Sequence, residues 1–224
     1  SKETWPAVLK LVVNNMSSEF QQIILPKPHL SWSQMNVWLT NRERYKREYF
    51  DDGKKLDTKF LKFGKNIAEL IEQGLHKQLL PDLEVYDSPE FKIVCKVRGL
   101  VPCLSFIDSY DSVRNVFREY KTGKIPWTKA KVQKHDQLVF YATVLKACGK
   151  PMPEYCDLDW IETIESEQER VDFWREQPKM IQVTGRIISF HREFDEREIT
   201  RMEDLIVRCA EEISEAYQEH LSDL

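Results

Sequence analysis

Two acidic residues and a lysine stand close together in the segment 105–124 and are the first candidates for chemistry. Asp108 precedes a turn at residues 111–112, and Glu119 and Lys121 follow it. Apolar and polar residues alternate on both sides of that turn, which predicts two half-buried strands joined by a tight turn. Since side chains two apart on a strand share a face, Glu119 and Lys121 are expected on one side of the hairpin.

Two carboxylates a few ångströms apart repel each other unless a cation lies between them. Hard oxygen ligands suit Mg2+ or Mn2+, whose other positions are taken by water and phosphate. Lys121 beside such an ion could orient an attacking water and stabilise negative charge. A surface acid and an exposed Glu–Lys ion pair would use the same residues, so the hairpin alone leaves both interpretations open.

A predicted helix after the hairpin adds two polar side chains. Residues 129–147 carry apolar residues at helical spacing, and Gln137 and Tyr141, four apart, share one face. The ordered set resembles the PD-(D/E)XK nuclease superfamily, in its RecB-like and lambda-exonuclease-like branch. The residues that carry the resemblance are Asp108, Glu119-Tyr120-Lys121, Gln137 and Tyr141.

The resemblance covers the chain from residue 30 to about residue 221. It implies an α/β fold with a central mixed β-sheet of about five strands flanked by helices, the restriction-endonuclease-like core. The implied domains are an N-terminal helical extension over residues 1–29 and a nuclease domain over residues 30–224. The implied function is a metal-dependent deoxyribonuclease, an exonuclease of DNA recombination, repair or processing. Mg2+ or Mn2+ is the implied cofactor, and single- or double-stranded DNA is the implied substrate.

The resemblance also assigns roles. Asp108 and Glu119 are the implied metal ligands, with the backbone carbonyl of Tyr120 as another, and Lys121 is the implied catalytic lysine. Gln137 and Tyr141 are expected to line the same pocket; an ordinary amphipathic helix with a tyrosine in the core would also explain them. A further ligand, His or Glu, is expected four residues after a glycine on an upstream helix.

The sequence departs from that last expectation. Four residues after Gly64 stands Ala68. Glu72 lies one helical turn further on nearly the same azimuth, so it is the candidate substitute, followed by Glu69; a solvated helix face explains either. A glycine common in the branch shortly before the aspartate is also missing. These departures motivate an alternative, a nuclease-fold subunit that binds DNA or serves as a scaffold with little or no catalysis. An RNA-directed nuclease would use the same chemistry.

Charge is unevenly distributed. From Arg42 to Lys65, nine basic residues stand against five acidic ones, whereas from Glu193 onward eleven acidic residues stand against three basic ones. The overall charge of −4 does not favour nonspecific DNA binding, but a basic region can still contact phosphates. The candidate contacts are Arg42, Arg44, Lys65 and Lys124. A charge run is usually a solvated face, but beside a metal site phosphate contact is the better interpretation.

The five cysteines are odd in number and contain no C-x-x-C. Some members of the branch carry a cysteine-ligated iron–sulfur cluster, but this spacing predicts none. Cys95 and Cys103 fall in predicted strands, where cysteine acts as a small apolar residue.

Without a long apolar run or a signal peptide, the expected location is cytoplasmic, with no membrane contact. The expected partners besides DNA are a second copy of the chain or a recombination or replication protein.

Periodicity and capping residues predict the elements that position these residues. The predicted helices cover residues 4–13, 31–50, 60–76, 129–147 and 196–221, and the predicted strands cover residues 90–98, 100–110, 113–121, 155–164 and 181–190.

Overall fold

The structure, a computed structural model, describes residues 22–51, 53, 58–165, 170–172, 175–176 and 181–224. The short helix predicted over residues 4–13 lies outside these ranges, as does most of the N-terminal extension proposed for residues 1–29. Residues 22–29 are described and contain no helix or strand. The division into an extension and a nuclease domain therefore stays a prediction.

The helices are α1 (Trp32–Thr40), α2 (Arg42–Tyr49), α3 (Lys59–Glu72), α4 (Lys129–Gln133), α5 (Asp136–Ala147) and α6 (Glu196–Ser222), with a 3-10 turn at His76–Gln78. The strands are β1 (Leu30–Ser31), β2 (Ser88–Val97), β3 (Val101–Asp111), β4 (Val116–Gly123), β5 (Tyr155–Glu165), β6 (Arg170–Asp172), β7 (Arg175–Glu176) and β8 (Ile181–Glu193). None of the helices in the described ranges has the combination of length and apolar character that crossing a membrane requires.

Six of the strands form one sheet, in which β1, β3, β4, β5 and β8 follow one another in that order. β1 and β4 pair with different parts of one edge of β3, and β2 pairs with its other edge. β3 is antiparallel to β2 and β4, β4 is parallel to β5, and β5 is antiparallel to β8. β6 and β7 form a separate two-stranded sheet. A mixed sheet flanked by helices confirms the predicted fold class, with the two-residue β1 as an addition to the five long strands.

Helices cover both faces of the sheet. Trp160 and Ile161 are adjacent on β5 and fully buried, yet they belong to different apolar clusters. Because successive strand residues point to opposite faces, one cluster lies on each side of the sheet. The larger cluster joins the sheet to α1, α2, α5 and α6, and the smaller one joins it to α3.

Two of the predicted helices are each broken in two. The helix predicted over residues 31–50 divides at Asn41, whose side chain accepts a hydrogen bond from the backbone N of Arg44 at 2.9 Å and begins α2. The helix predicted over residues 129–147 ends at Gln133 and begins again after His135, the N-cap of α5. Apolar spacing continues through both breaks, so periodicity alone did not reveal them.

The connection between β3 and β4 is longer than the predicted two-residue turn. β3 ends at Asp111, and β4 begins at Val116 rather than at residue 113. Asp111 Oδ1 accepts hydrogen bonds from the backbone N of Val113 and Arg114, at 2.9 and 2.8 Å. This side-chain cap stabilises a wider loop, which alternation of apolar residues does not predict.

A disulfide that the sequence did not predict joins β2 to the end of α5. Cys95 is bonded to Cys148, with Cα atoms 5.5 Å apart. Cys95 is therefore not merely an apolar strand residue, as the sequence suggested. The bond fixes the C-terminal end of the helix that carries Gln137 and Tyr141. The other cysteines, Cys103, Cys156 and Cys209, are buried thiols.

Candidate active site

β3 and β4 separate at the two acidic residues. Their pairing ends where Ser109 lies opposite Arg118, so Asp108 and Glu119 are the next residues across from each other. In place of a strand-to-strand bond, the backbone N of Tyr120 donates a hydrogen bond to Asp108 Oδ2 at 2.7 Å. The separation therefore places two carboxyl groups side by side, one of them held by a backbone amide.

The two carboxyl groups are in an unfavourable environment as an isolated pair. Glu119 is only 2% exposed, and its Oε2 has no hydrogen-bond partner among the described residues. Burial raises the pKa of Asp108 well above its usual range; the charge of Glu119 raises that pKa further, and Lys121 opposes the rise. A carboxyl pair with one buried, unsatisfied oxygen is stabilised by a cation.

Lys121 and Gln137 complete the group around Glu119. Lys121 Nζ donates to Glu119 Oε1 at 2.5 Å and to Gln137 Oε1 at 3.0 Å. Gln137 Nε2 donates to the same Glu119 oxygen at 2.9 Å and to the Tyr141 hydroxyl at 2.6 Å. Burial lowers the pKa of Lys121, but attraction to Glu119 and Asp108 outweighs burial and raises it, so the amine stays charged. The structure thus brings all five of these side chains together.

α5 holds its amide and phenol rigidly against the sheet. Every residue from Leu138 to Leu145 is buried. The ring of Tyr141 contacts Phe117 of β4 edge-on, with centroids 6.1 Å apart. Burial raises the pKa of Tyr141 well above its usual range, and the charges of Glu119 and Asp108 add to the rise. Tyr141 is therefore a neutral phenol at ordinary pH.

A cavity of about 520 Å³ opens beside this group. Its polar end contains Asp108, Glu119 and Lys121, and Lys65 of α3 also lines it. Gly64 packs close to the same strand, since a Cβ there would lie 3.7 Å from the Thr122 hydroxyl oxygen. The apolar wall also comes largely from α3 and includes Phe60, Leu61, Phe63, Ile67, Ala68 and Ile71.

The position of the expected helix ligand is apolar. Ala68 lines the cavity there, whereas Glu72 and Glu69 are exposed and do not line it. Within the described ranges, no three His, Cys, Asp or Glu side chains form a group that could hold a metal ion. The structure therefore does not place Glu72 beside Asp108 and Glu119, because the Glu72 side chain is exposed to solvent, whereas its neighbour Ile71 lines the cavity.

Glu90 of β2, which the sequence interpretation missed, does line the cavity. The residues before and after it pair with β3 in continuous register, which places Glu90 opposite Asp108. Burial raises the pKa of Glu90, and the charges of Glu72 and Glu69 raise it further. A signal was present in the sequence: Glu90 and Asp108 are equally distant from Gly99, the centre of the hairpin turn, where φ is 69°.

Of the four basic residues predicted to contact nucleic acid, only Lys65 lines the cavity. The other three lie in ion pairs: Arg42 with Glu212 at 2.5 Å, Arg44 with Glu48 at 2.7 Å, and Lys124 with Glu165 at 2.9 Å. Lys59 and Lys124 together lower the pKa of Glu165 to about 2. The basic charge that the sequence concentrates in this region is thus partly balanced by nearby carboxylates.

Arg118 is a second residue that the sequence interpretation missed, and it anchors β4 beside Glu119. It is 8% exposed and donates to Asp159 of β5 at 2.9 Å. It also pairs with Glu84, and its guanidinium lies 5.1 Å from the centroid of the Tyr86 ring. These contacts hold β4 to β5 and to the segment before β2.

The donor set fits a hard divalent cation. Asp108 and Glu119 are adjacent carboxyl groups, and the unsatisfied Glu119 Oε2 needs a partner. Carboxylate and backbone carbonyl oxygens are the ligands that Mg2+ and Mn2+ prefer. The residues that would hold such an ion are Asp108 and Glu119, with the carbonyl of Tyr120.

No protein-family model matches the sequence, and no curated protein matches it either. Among solved structures, the chain is similar to a phage related exonuclease from Haemophilus somnus 129PT, with 14% identity and a TM-score of 0.49 over 85% of this chain and 83% of that one. It is also similar to a protein named as a candidate exonuclease from Eubacterium rectale, with 10% identity and a TM-score of 0.49 over 83% of this chain and 82% of that one. Similarity this low does not transfer an activity to this chain.

Proposed function

We propose that the chain is a metal-dependent deoxyribonuclease that hydrolyses DNA phosphodiester bonds and acts as an exonuclease. One observation carries the proposal: Glu119, Lys121 and Gln137 form a single hydrogen-bonded group that shares a cavity with Asp108 and leaves a buried carboxylate oxygen of Glu119 unsatisfied. Acidic ligands next to a fixed ammonium group are suited to phosphodiester hydrolysis. Action from a DNA end is the finer part of the proposal and follows from the motif resemblance.

When bound, Mg2+ or Mn2+ would polarise the scissile phosphate and lower the pKa of the attacking water. Asp108 and Glu119 would bind that ion. The charged amine of Lys121 would orient the water and stabilise the negative charge that develops on the phosphate oxygens. Gln137 fixes both Lys121 and Glu119, and the Tyr141 hydroxyl fixes Gln137 in turn.

The test is cleavage of labelled DNA by variants that keep shape and lose charge. Asp108→Asn and Glu119→Gln should each reduce Mg2+- or Mn2+-dependent cleavage at least about a hundredfold, the effect of removing one essential electrostatic group. Glu162→Gln is the control, since Glu162 pairs with Arg186 rather than lining the cavity. Ca2+ should support binding without efficient cutting. Full activity in either site variant would contradict the proposal.

The form of the DNA substrate tests whether the protein acts from a DNA end. An exonuclease degrades linear DNA and leaves covalently closed circles intact, so cutting of circles would show an endonuclease instead. Single-stranded DNA, double-stranded DNA and RNA of the same sequence, mixed in competition, would establish which nucleic acid is preferred.

A subunit that binds DNA without cutting it is the second candidate function. Ala68 favours it, because the cavity has an apolar residue at the position where the resemblance expects a ligand. Such a protein would bind DNA in the same assay and release no product, even with Mn2+ and long incubation.

A further inference from the structure

We infer that Glu90 of β2 is the third carboxylate of the metal site and takes the role that Ala68 cannot fill. The inference rests on the proposed function, because it completes the ion site of Asp108 and Glu119. It assigns the missing carboxylate to a strand instead of the helix that the motif resemblance indicates.

The strand register brings Glu90 to the site. β2 and β3 form a hairpin that keeps one register from Ser88 opposite Tyr110 to Val97 opposite Val101. Glu90 itself is unpaired in that register, between Pro89 and Phe91, which both pair with β3. Glu90 therefore lies across from Asp108, and residues opposite each other on antiparallel strands are close neighbours. Asp108 thus has an acidic residue on each side, Glu119 from β4 and Glu90 from β2.

The backbone at Glu90 points to a role for its side chain. Its φ is 49°, in the left-handed region that residues other than glycine rarely occupy. Such a conformation inside a strand costs free energy, and conformations of this kind cluster at functional sites. Glycine would relieve the cost, so a glutamate here is best explained by what its carboxylate contacts.

An independent observation shows that one buried carboxylate oxygen of the site lacks a partner among the described residues. Glu119 is almost fully buried, and its Oε2 has no hydrogen-bond partner among the described residues. Glu90 lines the same cavity, and its side chain is exposed. A flexible glutamate side chain at this position can turn toward an ion. The three carboxylates do not form a direct ligand group among the described residues. Mg2+ and Mn2+ keep several waters when bound to proteins, so Glu90 would contact the ion through one of these waters.

Glu90 fits this role better than the helix residues do. Glu69 and Glu72 are close enough for their charges to act on Glu90, but neither lines the cavity. Their position beside Glu90 adds negative potential without placing a carboxylate at the ion.

The test measures Mn2+ binding to the full chain by isothermal titration calorimetry without DNA, so activity is not the readout. Glu90→Gln should weaken Mn2+ binding about tenfold or more, the usual effect of losing one supporting group at a metal site. Asp87→Asn is the matched control, because it removes an exposed acid from the same segment that does not line the cavity. It should change the affinity less than twofold.

Two further variants separate the effect of the Glu90 carboxylate from that of its backbone conformation. Glu90→Gly tolerates the left-handed backbone, so it should fold at least as stably as the wild type and still bind Mn2+ weakly. Ala68→Glu in the Glu90→Gln background places a carboxylate on α3 and should recover part of the lost affinity.

The outcomes separate this inference from the proposed function. Wild-type Mn2+ affinity in Glu90→Gln would overturn the inference, even if Asp108→Asn abolished binding. An equal loss in Glu72→Gln would also overturn it, because the effect would then be one of net charge. Wild-type Mn2+ affinity in both Asp108→Asn and Glu119→Gln would instead contradict the proposed function.

Discussion

Gln137 Nε2 donates a hydrogen bond to Glu119 Oε1 at 2.9 Å, and this contact joins α5 to β4 at the centre of the site. The same amide accepts a hydrogen bond from Lys121 through its Oε1. One side chain therefore sets the positions of both the acid and the amine. An apolar replacement would leave two charged groups short of a partner in a partly buried site.

Gln137→Met should therefore reduce the cleavage rate about 10- to 100-fold while the fold remains intact, as expected for a residue that orients metal ligands. The measurement is the single-turnover rate of DNA cleavage, with circular dichroism as the check on folding. Gln133→Met is the control, since Gln133 donates only to the His191 backbone oxygen at an exposed position. Equal rates for the wild type and Gln137→Met would show that Gln137 does not position the site.

Asp108 is expected to reduce the stability of the ion-free protein. Burial and the charge of Glu119 raise its pKa in the folded state, whereas the pKa of an aspartate in the unfolded chain is about 3.9. Above that value the unfolded state loses the proton first, so the free energy of unfolding falls as pH rises toward the folded pKa. Asp108→Asn removes this cost and should raise the thermal midpoint at neutral pH in EDTA.

Thermal unfolding from pH 4 to pH 8 measures this effect, and each 1 kcal/mol corresponds to about 2–4 °C for a chain of this size. The difference between Asp108→Asn and the wild type should grow with pH, and Mn2+ should reduce it by stabilising only the wild type. A lower midpoint for Asp108→Asn at pH 8 in EDTA would contradict the unfavourable burial of this carboxylate.

The Cys95–Cys148 disulfide should stabilise the protein by holding α5 against β2. Cys148→Ser is expected to lower the free energy of unfolding by roughly 2–4 kcal/mol under oxidising conditions. The wild type in reductant should approach the stability of the variant, and the variant itself should not respond to reductant. Identical urea midpoints for the oxidised wild type and Cys148→Ser would contradict a stabilising bond.

The parts of the site that sequence could predict are those fixed by local periodicity. Glu119 and Lys121 share a face because strand side chains alternate, and Gln137 and Tyr141 share a face because they are one helical turn apart. Asp108 meets them because a hairpin brings its two arms together. Each relationship depends on short-range geometry, and the structure contains each of them.

The parts that sequence missed depend on register, capping and long-range contact. Glu90 lies opposite Asp108 only through the alignment of two strands around Gly99, and Cys95 meets Cys148 across 53 residues. The break at Asn41 is set by a side-chain cap that leaves the apolar spacing unchanged. Charge counts also do not reveal which basic residues are already paired with acids, as Arg42, Arg44 and Lys124 are.

Lys65 is the one predicted phosphate contact that lines the cavity, so it should account for most of the effect of the basic segment on DNA binding. Each phosphate contact made by a cation adds about 0.9 to the slope of log K against log salt for duplex DNA, and about 0.7 for single strands. Lys65→Ala should therefore weaken binding and reduce that slope by about one contact. Arg42→Ala removes the same charge from an arginine paired with Glu212 and should leave the slope unchanged.

Fluorescence anisotropy in Ca2+, repeated over a range of salt concentrations, measures both slopes. Equal losses in the two variants would show that the whole basic segment attracts DNA through its summed charge, as the sequence first suggested, and that the cavity lining does not select Lys65.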